Sequence, residues 1–171
     1  MKIIILIVTI FFSFVAFVSF VAFADNSGNK IDKFVWDGPF FLKGLSIEQI
    51  RNLAVVEKES KEDEDNPFID NAKIPYYTFI FKDGLKVYCR VVENHVSGPH
   101  VQFTSIHVAS SQWPILYDLR VGQKISNVIK VLGKPTSDEG NLLSYSGQTE
   151  EVSFYYVDDV VTKVVFQYYS D

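Results

Sequence analysis

Apolar and polar positions along this chain fall into two periods, and each predicts its own elements. Ile47, Ile50, Leu53 and Ala54 repeat at helical spacing behind Ser46, a natural N-cap, with Glu48 and Gln49 in the first turn, so a short amphipathic helix is predicted there. Tyr76 to Phe81 and Leu85 to Val92 are β-rich runs on either side of Lys82-Asp83-Gly84, a strong hairpin signal. A turn at Asn94 to Pro99 leads to His100 to Val108, which alternates as a third strand. Ser110 to Pro114 breaks the pattern as a linker. Gly122 to Leu132 then predicts a second short helix, with Ile125, Val128, Ile129 and Leu132 on one face and Gly133 and Pro135 closing it. A loop over Thr136 to Asn141 precedes a short strand, Leu142 to Tyr145. The last pattern is a hairpin, Glu151 to Val157 with Val160 to Tyr169, around Asp158-Asp159.

The second half repeats the order of the first. Aligning Gly44 with Gly122 brings Phe79 near Phe154, Phe81 near Tyr156 and Asp83 near Asp158, with spacings that differ by three residues. An internal duplication follows, with one repeat over 38–109 and another over 110–171. The predicted fold class is α+β: an antiparallel sheet with short helices packed on one face. Strand parity separates the two faces. Tyr77, Phe79, Phe81, Leu85, Val87, Cys89, Val91, Val101, Phe103, Val152, Phe154, Tyr156, Val164 and Phe166 share the helix-covered side. Tyr76, Thr78, Lys86, Tyr88, Arg90, His100, Gln102, Thr104, Ser153, Tyr155, Lys163, Gln167 and Tyr169 share the other. That second face is wet but rich in tyrosine, which supplies rigid contact area with polar tips; tyrosine also favours strands for its own sake, so a docking surface and plain sheet chemistry both fit.

Two segments stand outside this scheme. Ile3 to Val21 carries no charge, follows Lys2 and runs into Ala22-Phe23-Ala24, as an export signal cleaved after residue 24 does. Its length also suits an uncleaved anchor; either way the positive-inside bias puts the remainder beyond the inner membrane, in a periplasmic or secreted location. Residues 25–37 are expected to be a polar leader. Glu57 to Asp65 holds six acids, two lysines and no apolar residue, and is expected to be a solvated loop.

Removing Lys2 with the signal leaves 15 cations against 21 anions, a net charge of −6, which argues against nucleic acid or anionic lipid as a partner. The lone Cys89 excludes an internal disulfide and, on the core parity, behaves as a small hydrophobe. No Gly-rich phosphate loop, Cys-x-x-Cys pair or Gly-x-Ser-x-Gly elbow is present, so neither a cofactor nor a catalytic residue is expected. Of the histidines, His100 and His107 point to opposite faces of one regular strand, while His95 lies in the preceding turn; no metal site is expected. The acidic run lacks the central glycine of a calcium loop. The chain is therefore expected to be a non-enzyme.

Gly122, the helix Ser126 to Leu132, Leu132-Gly133-Lys134-Pro135, Tyr145, the strand Val152 to Tyr156, an acidic turn and Val160 to Phe166 together resemble the repeat unit of the beta-lactamase-inhibitor-protein-like superfamily, which includes the small outer-membrane lipoproteins SmpA/OmlA. The first half resembles it more loosely, through Gly44 to Leu53 and Tyr76 to Val92. The resemblance implies helices on one face of an antiparallel sheet, with the open aromatic face and protruding loops gripping an enzyme. The expected function is then an exported inhibitor or immunity-like protein acting on an envelope enzyme or toxin with a basic cleft. Its partner-binding residues would be Tyr88, Arg90, Tyr155, Gln167 and Tyr169, with Glu62, Asp63, Glu64 and Asp65 as an acidic plug. The alternative is an envelope assembly or scaffold factor held at the membrane by an uncleaved N-terminus.

Overall fold

Local chemistry starts the first predicted helix where the sequence places it. Ser46 Oγ accepts from the Gln49 backbone N–H at 3.2 Å, and Gln49 Oε1 accepts from the Ser46 N–H at 2.9 Å, a reciprocal capping box at the head of helix α2 (Ile47–Arg51). Helix α3 (Ile125–Leu132) ends at Gly133, whose φ of 88° a residue with a Cβ tolerates poorly. Ile125, Val128 and Leu132 are buried as predicted, whereas Ile129 is 38% exposed: the buried stripe is narrower than the apolar one. The computed structural model describes residues 29–66, 69–92 and 98–169, so the export signal, Pro67 and His95 lie outside the described residues.

The strands are β1 (Val56–Asp65), β2 (Lys73–Phe81), β3 (Leu85–Val92), β4 (His100–Val108), β5 (Ser137–Glu139), β6 (Leu142–Ser146), β7 (Glu150–Val157) and β8 (Val160–Tyr168). They form one antiparallel sheet in the order β1-β2-β3-β4-β8-β7-β6-β5. Each half is thus a helix followed by a four-stranded meander, and the two meanders meet along their last strands. The β7–β8 turn places both Asp158 (φ 50°) and Asp159 (φ 63°) in the left-handed region, as a two-residue hairpin requires.

The core lies under one face only. Phe79, Leu85, Val87, Cys89, Val152, Phe154, Val164 and Phe166 are fully buried there, on the predicted parity, and the helices pack against them. Three expectations are corrected. The segment Thr136 to Asn141, expected as a loop, holds strand β5, whose backbone pairs with β6. Residues 29–37 are not a polar leader but a helix, α1, whose Phe34 and Val35 are completely buried. Phe34 stacks on Phe154 at 5.9 Å and contacts Phe166 at 5.7 Å. The acidic segment is not a loop either: all of it but Glu57 pairs in register with β2 as part of strand β1. Backbone hydrogen bonds hold that strand, and Arg51 of α2 clamps it through Glu59, with Nη2 to Oε1 at 2.7 Å and Nε to Oε2 at 2.8 Å. An edge strand so dense in charge resists pairing with a second sheet. The Ser110 to Pro114 linker is anchored as well, since the Trp113 indole N–H donates to the Asp83 carbonyl at 3.0 Å and its ring stacks on Phe41 at 5.3 Å.

Candidate functional site: the open sheet face

Register carries four side chains into one row across the first meander. Glu62 pairs with Tyr76, Tyr76 with Arg90, and Arg90 with Gln102, all on the face away from the helices. Within that row Arg90 Nε donates to Gln102 Oε1 at 2.8 Å and Nη1 donates to the Tyr76 hydroxyl at 3.2 Å, so the guanidinium is held in place. Tyr88 lies one row along, its ring 5.2 Å from that of His107. In the second meander Lys163 Nζ sits 3.8 Å from the centre of the Tyr155 ring, a close cation–π contact, and Tyr155 is 36% exposed.

The predicted site residues do not all gather here. Tyr88, Arg90 and Tyr155 do. Gln167 instead donates from Nε2 to the Thr104 carbonyl at 3.1 Å and works within the sheet. Tyr169, 61% exposed, follows β8 and faces a cleft at the sheet's centre. The four acids divide by strand alternation. Glu62 and Glu64 share the open face and border a hollow of about 190 Å³ with Tyr76, Thr78 and Tyr88. Asp63 and Asp65 turn to the other side, where they pair with Lys61 and Lys73. A single acidic plug is therefore not what β1 presents. A feature absent from the sequence reading is a knot in which Ser144 and Ser153 both donate to Glu151 Oε1, at 3.1 and 2.9 Å. Alternation of Ser144 with Leu143 and of Ser153 with Val152 carries that signal.

β4 contains a bulge. Tyr88 pairs with Ser105 but Cys89 with Phe103, so Thr104 is unpaired and strand parity shifts by one. His107 thereby returns to the face predicted for His100, reversing the expectation of opposite faces. Seven residues of strand still separate them by roughly 20 Å, too far to share an ion. Among the described residues no group of three His, Cys, Asp or Glu could hold a metal. Cys89 is buried, and burial pushes its thiol up to about 12, so it stays a protonated hydrophobe at neutral pH.

Burial, and the neighbouring Lys163 and Lys86, push the His107 imidazole below its ordinary value. A histidine depressed in the folded state contributes stability above the unfolded value near 6.5, and that contribution fades as pH falls below it, because the unfolded chain takes up the proton first. Melting temperature should thus fall between pH 7 and 5.5. In His107→Gln that slope should be shallower; an identical slope would remove His107 as its source. The depressed carboxyls of Asp37 and Glu59, bonded to lysine and arginine, act at lower pH.

Among the described residues no helix is long and apolar enough to cross a membrane. No protein-family model matches the chain, and no curated protein matches it. Among solved structures it is similar to the crystal structure of the uncharacterized protein yfeY from Escherichia coli, at 11% identity and a TM-score of 0.37, covering 72% of this chain and 89% of that one.

Proposed function

We propose that this chain is an exported, non-catalytic binding protein that inhibits or neutralises an envelope enzyme or toxin, gripping it by the open sheet face. The observation that carries the reading is the pre-ordered row Glu62-Tyr76-Arg90-Gln102, continued by Tyr88 and Tyr155. Arginine and tyrosine held by neighbours lose little freedom on docking, and such residues dominate binding energy at protein interfaces. Glu62 and Glu64 beside this row, with the acidic balance of the whole chain, favour a partner with a basic surface and speed its approach. Helices packed on one face of an antiparallel sheet are what the resemblance to the beta-lactamase-inhibitor-protein-like superfamily implies, and that arrangement supports the same reading.

The test begins with capture of a partner from envelope extract, followed by titration against the purified partner and assay of its activity. Replacing Tyr88 and Tyr155 together with alanine should weaken binding by about 2 kcal/mol or more while changing folding stability by about 1 kcal/mol or less. Undiminished binding by that variant, or a partner whose activity is untouched in the complex, refutes the proposal.

A further inference from the structure

The β4 bulge has a second effect. Pairing of β4 with β8 runs over only four residue pairs, from Val108 with Val164 to Ser105 with Gln167, and stops at Thr104. Beyond that point the strands part and leave a cleft of about 310 Å³ on the helix-bearing side, between the start of β4 and Glu150, Tyr168 and Tyr169. The end of α1 closes it with Trp36 and Asp37, and the following turn adds Phe40 and Lys43.

Its chemistry is uneven. Glu150 is 4% exposed and takes hydrogen bonds from the Thr149 N–H at 3.3 Å and the Thr149 hydroxyl, but among the described residues no lysine or arginine pairs with it. Asp37 differs, for Lys33 and Lys43 each reach it at 2.8 Å. Of the two carboxylates that line the cleft, Glu150 is therefore the one that no lysine or arginine meets, and a buried carboxylate with no cation is costly until one arrives. The walls suit such a guest. Trp36 and Tyr168 both line the cleft, their ring centres 6.3 Å apart and their planes tilted by 40°. Trp36, Phe40 and Tyr169 all remain exposed at the mouth, where large aromatic groups need a reason to be. Burial, Asp37 and Glu150 together raise the Tyr168 phenol, as a negative local field does. The end of α1 also brings the negative pole of its helix dipole to this wall.

We propose that this cleft binds an organic monocation, an alkylammonium or guanidinium group seated against Glu150 and in contact with the Trp36 and Tyr168 rings that line it. The cleft shares Gln102 with the row on the open face, but the proposal does not rest on that face's function. Choline is the probe, because its charge does not titrate and 3,3-dimethylbutan-1-ol reproduces its shape without charge. Titrated into the full chain and followed by tryptophan fluorescence and calorimetry, choline should bind saturably, with the neutral isostere weaker by about tenfold or more. Glu150→Gln, which keeps the side-chain size, should lose a similar factor. Trp36→Leu changes an exposed residue, so it carries the test should the first variant fold poorly. N-acetyl-arginine amide distinguishes the source: tighter binding than choline points to a basic side chain of a protein, weaker binding to a free small cation, and both support the site. Equal binding of the isostere, undiminished binding by both variants, or no saturation by either cation up to about 10 mM overturns the proposal.

Discussion

Phe34→Ala should destabilise the folded chain by about 3–5 kcal/mol, a large share of the ~5–15 kcal/mol that holds a domain of this size together. Phe34 has no exposed surface and lies between the helix and the centre of the sheet, with Phe154, Phe166 and Tyr117 rings at 5.9, 5.7 and 6.0 Å. Its removal empties a space that rigid aromatic neighbours cannot refill, so the cavity cost adds to the lost transfer energy. The neighbouring Trp36 supplies the control, since it is 59% exposed and Trp36→Ala should cost about 1 kcal/mol or less. Urea denaturation of both variants checks the pair. A Phe34→Ala loss as small as that of Trp36→Ala would mean that α1 does not dock on the sheet.

Gly38→Ala should cost about 1–3 kcal/mol or more, although it adds a single methyl group. A Cβ at this position would collide with the Phe166 ring, at 2.5 Å from Cζ and closer still to Cε1, and would sit 2.7 Å from the Phe34 carbonyl oxygen. One obstacle is a fully buried ring and the other is backbone, so neither yields cheaply. The same backbone also contributes the Gly38 carbonyl to the Leu116 N–H at 2.9 Å, which ties the turn after α1 to the segment joining the two halves. Gly140→Ala offers a contrast, for no atom lies within 4 Å of its Cβ position and only its φ of 62° opposes the change. If Gly38→Ala melts with the parent chain, the close approach of α1 to β8 is wrong.

Much of this architecture is written locally. The capping box at Ser46 and Gln49, the Asp83-Gly84 and Asp158-Asp159 turns and the alternation from Leu85 to Val92 all involve residues a few positions apart, and each element formed where that grammar put it. The helix at 29–37 was legible too. Ile31, Phe34 and Val35 fall at i, i+3 and i+4, but charged neighbours on both sides mask so short a stripe. Strand β1 left no such trace. Its ten residues bury almost nothing, and what makes them a strand is the β2 backbone beside them and the Arg51 clamp. For the candidate site, parity alone separated Tyr88, Arg90 and Tyr155 from the core. Parity does not join Gln167 to the bulge at Thr104, nor divide Asp63 and Asp65 from Glu62 and Glu64, because a segment that reads as a loop has no parity.

The amino-acid order by itself determined the α+β class, the two-fold repetition of helix and hairpins, the buried parity and the acidic balance, because periodicity, turn chemistry and charge are properties of neighbours in the chain. Only the tertiary structure decided that the meanders join through β4 and β8, that β4 bulges at Thr104, and that a cleft with a buried carboxylate opens beside it. Those outcomes depend on which distant segments meet and in what register, and pairing between residues 60 or 62 positions apart, as Ile106 with Phe166 and Ser105 with Gln167 are, leaves no local period to read.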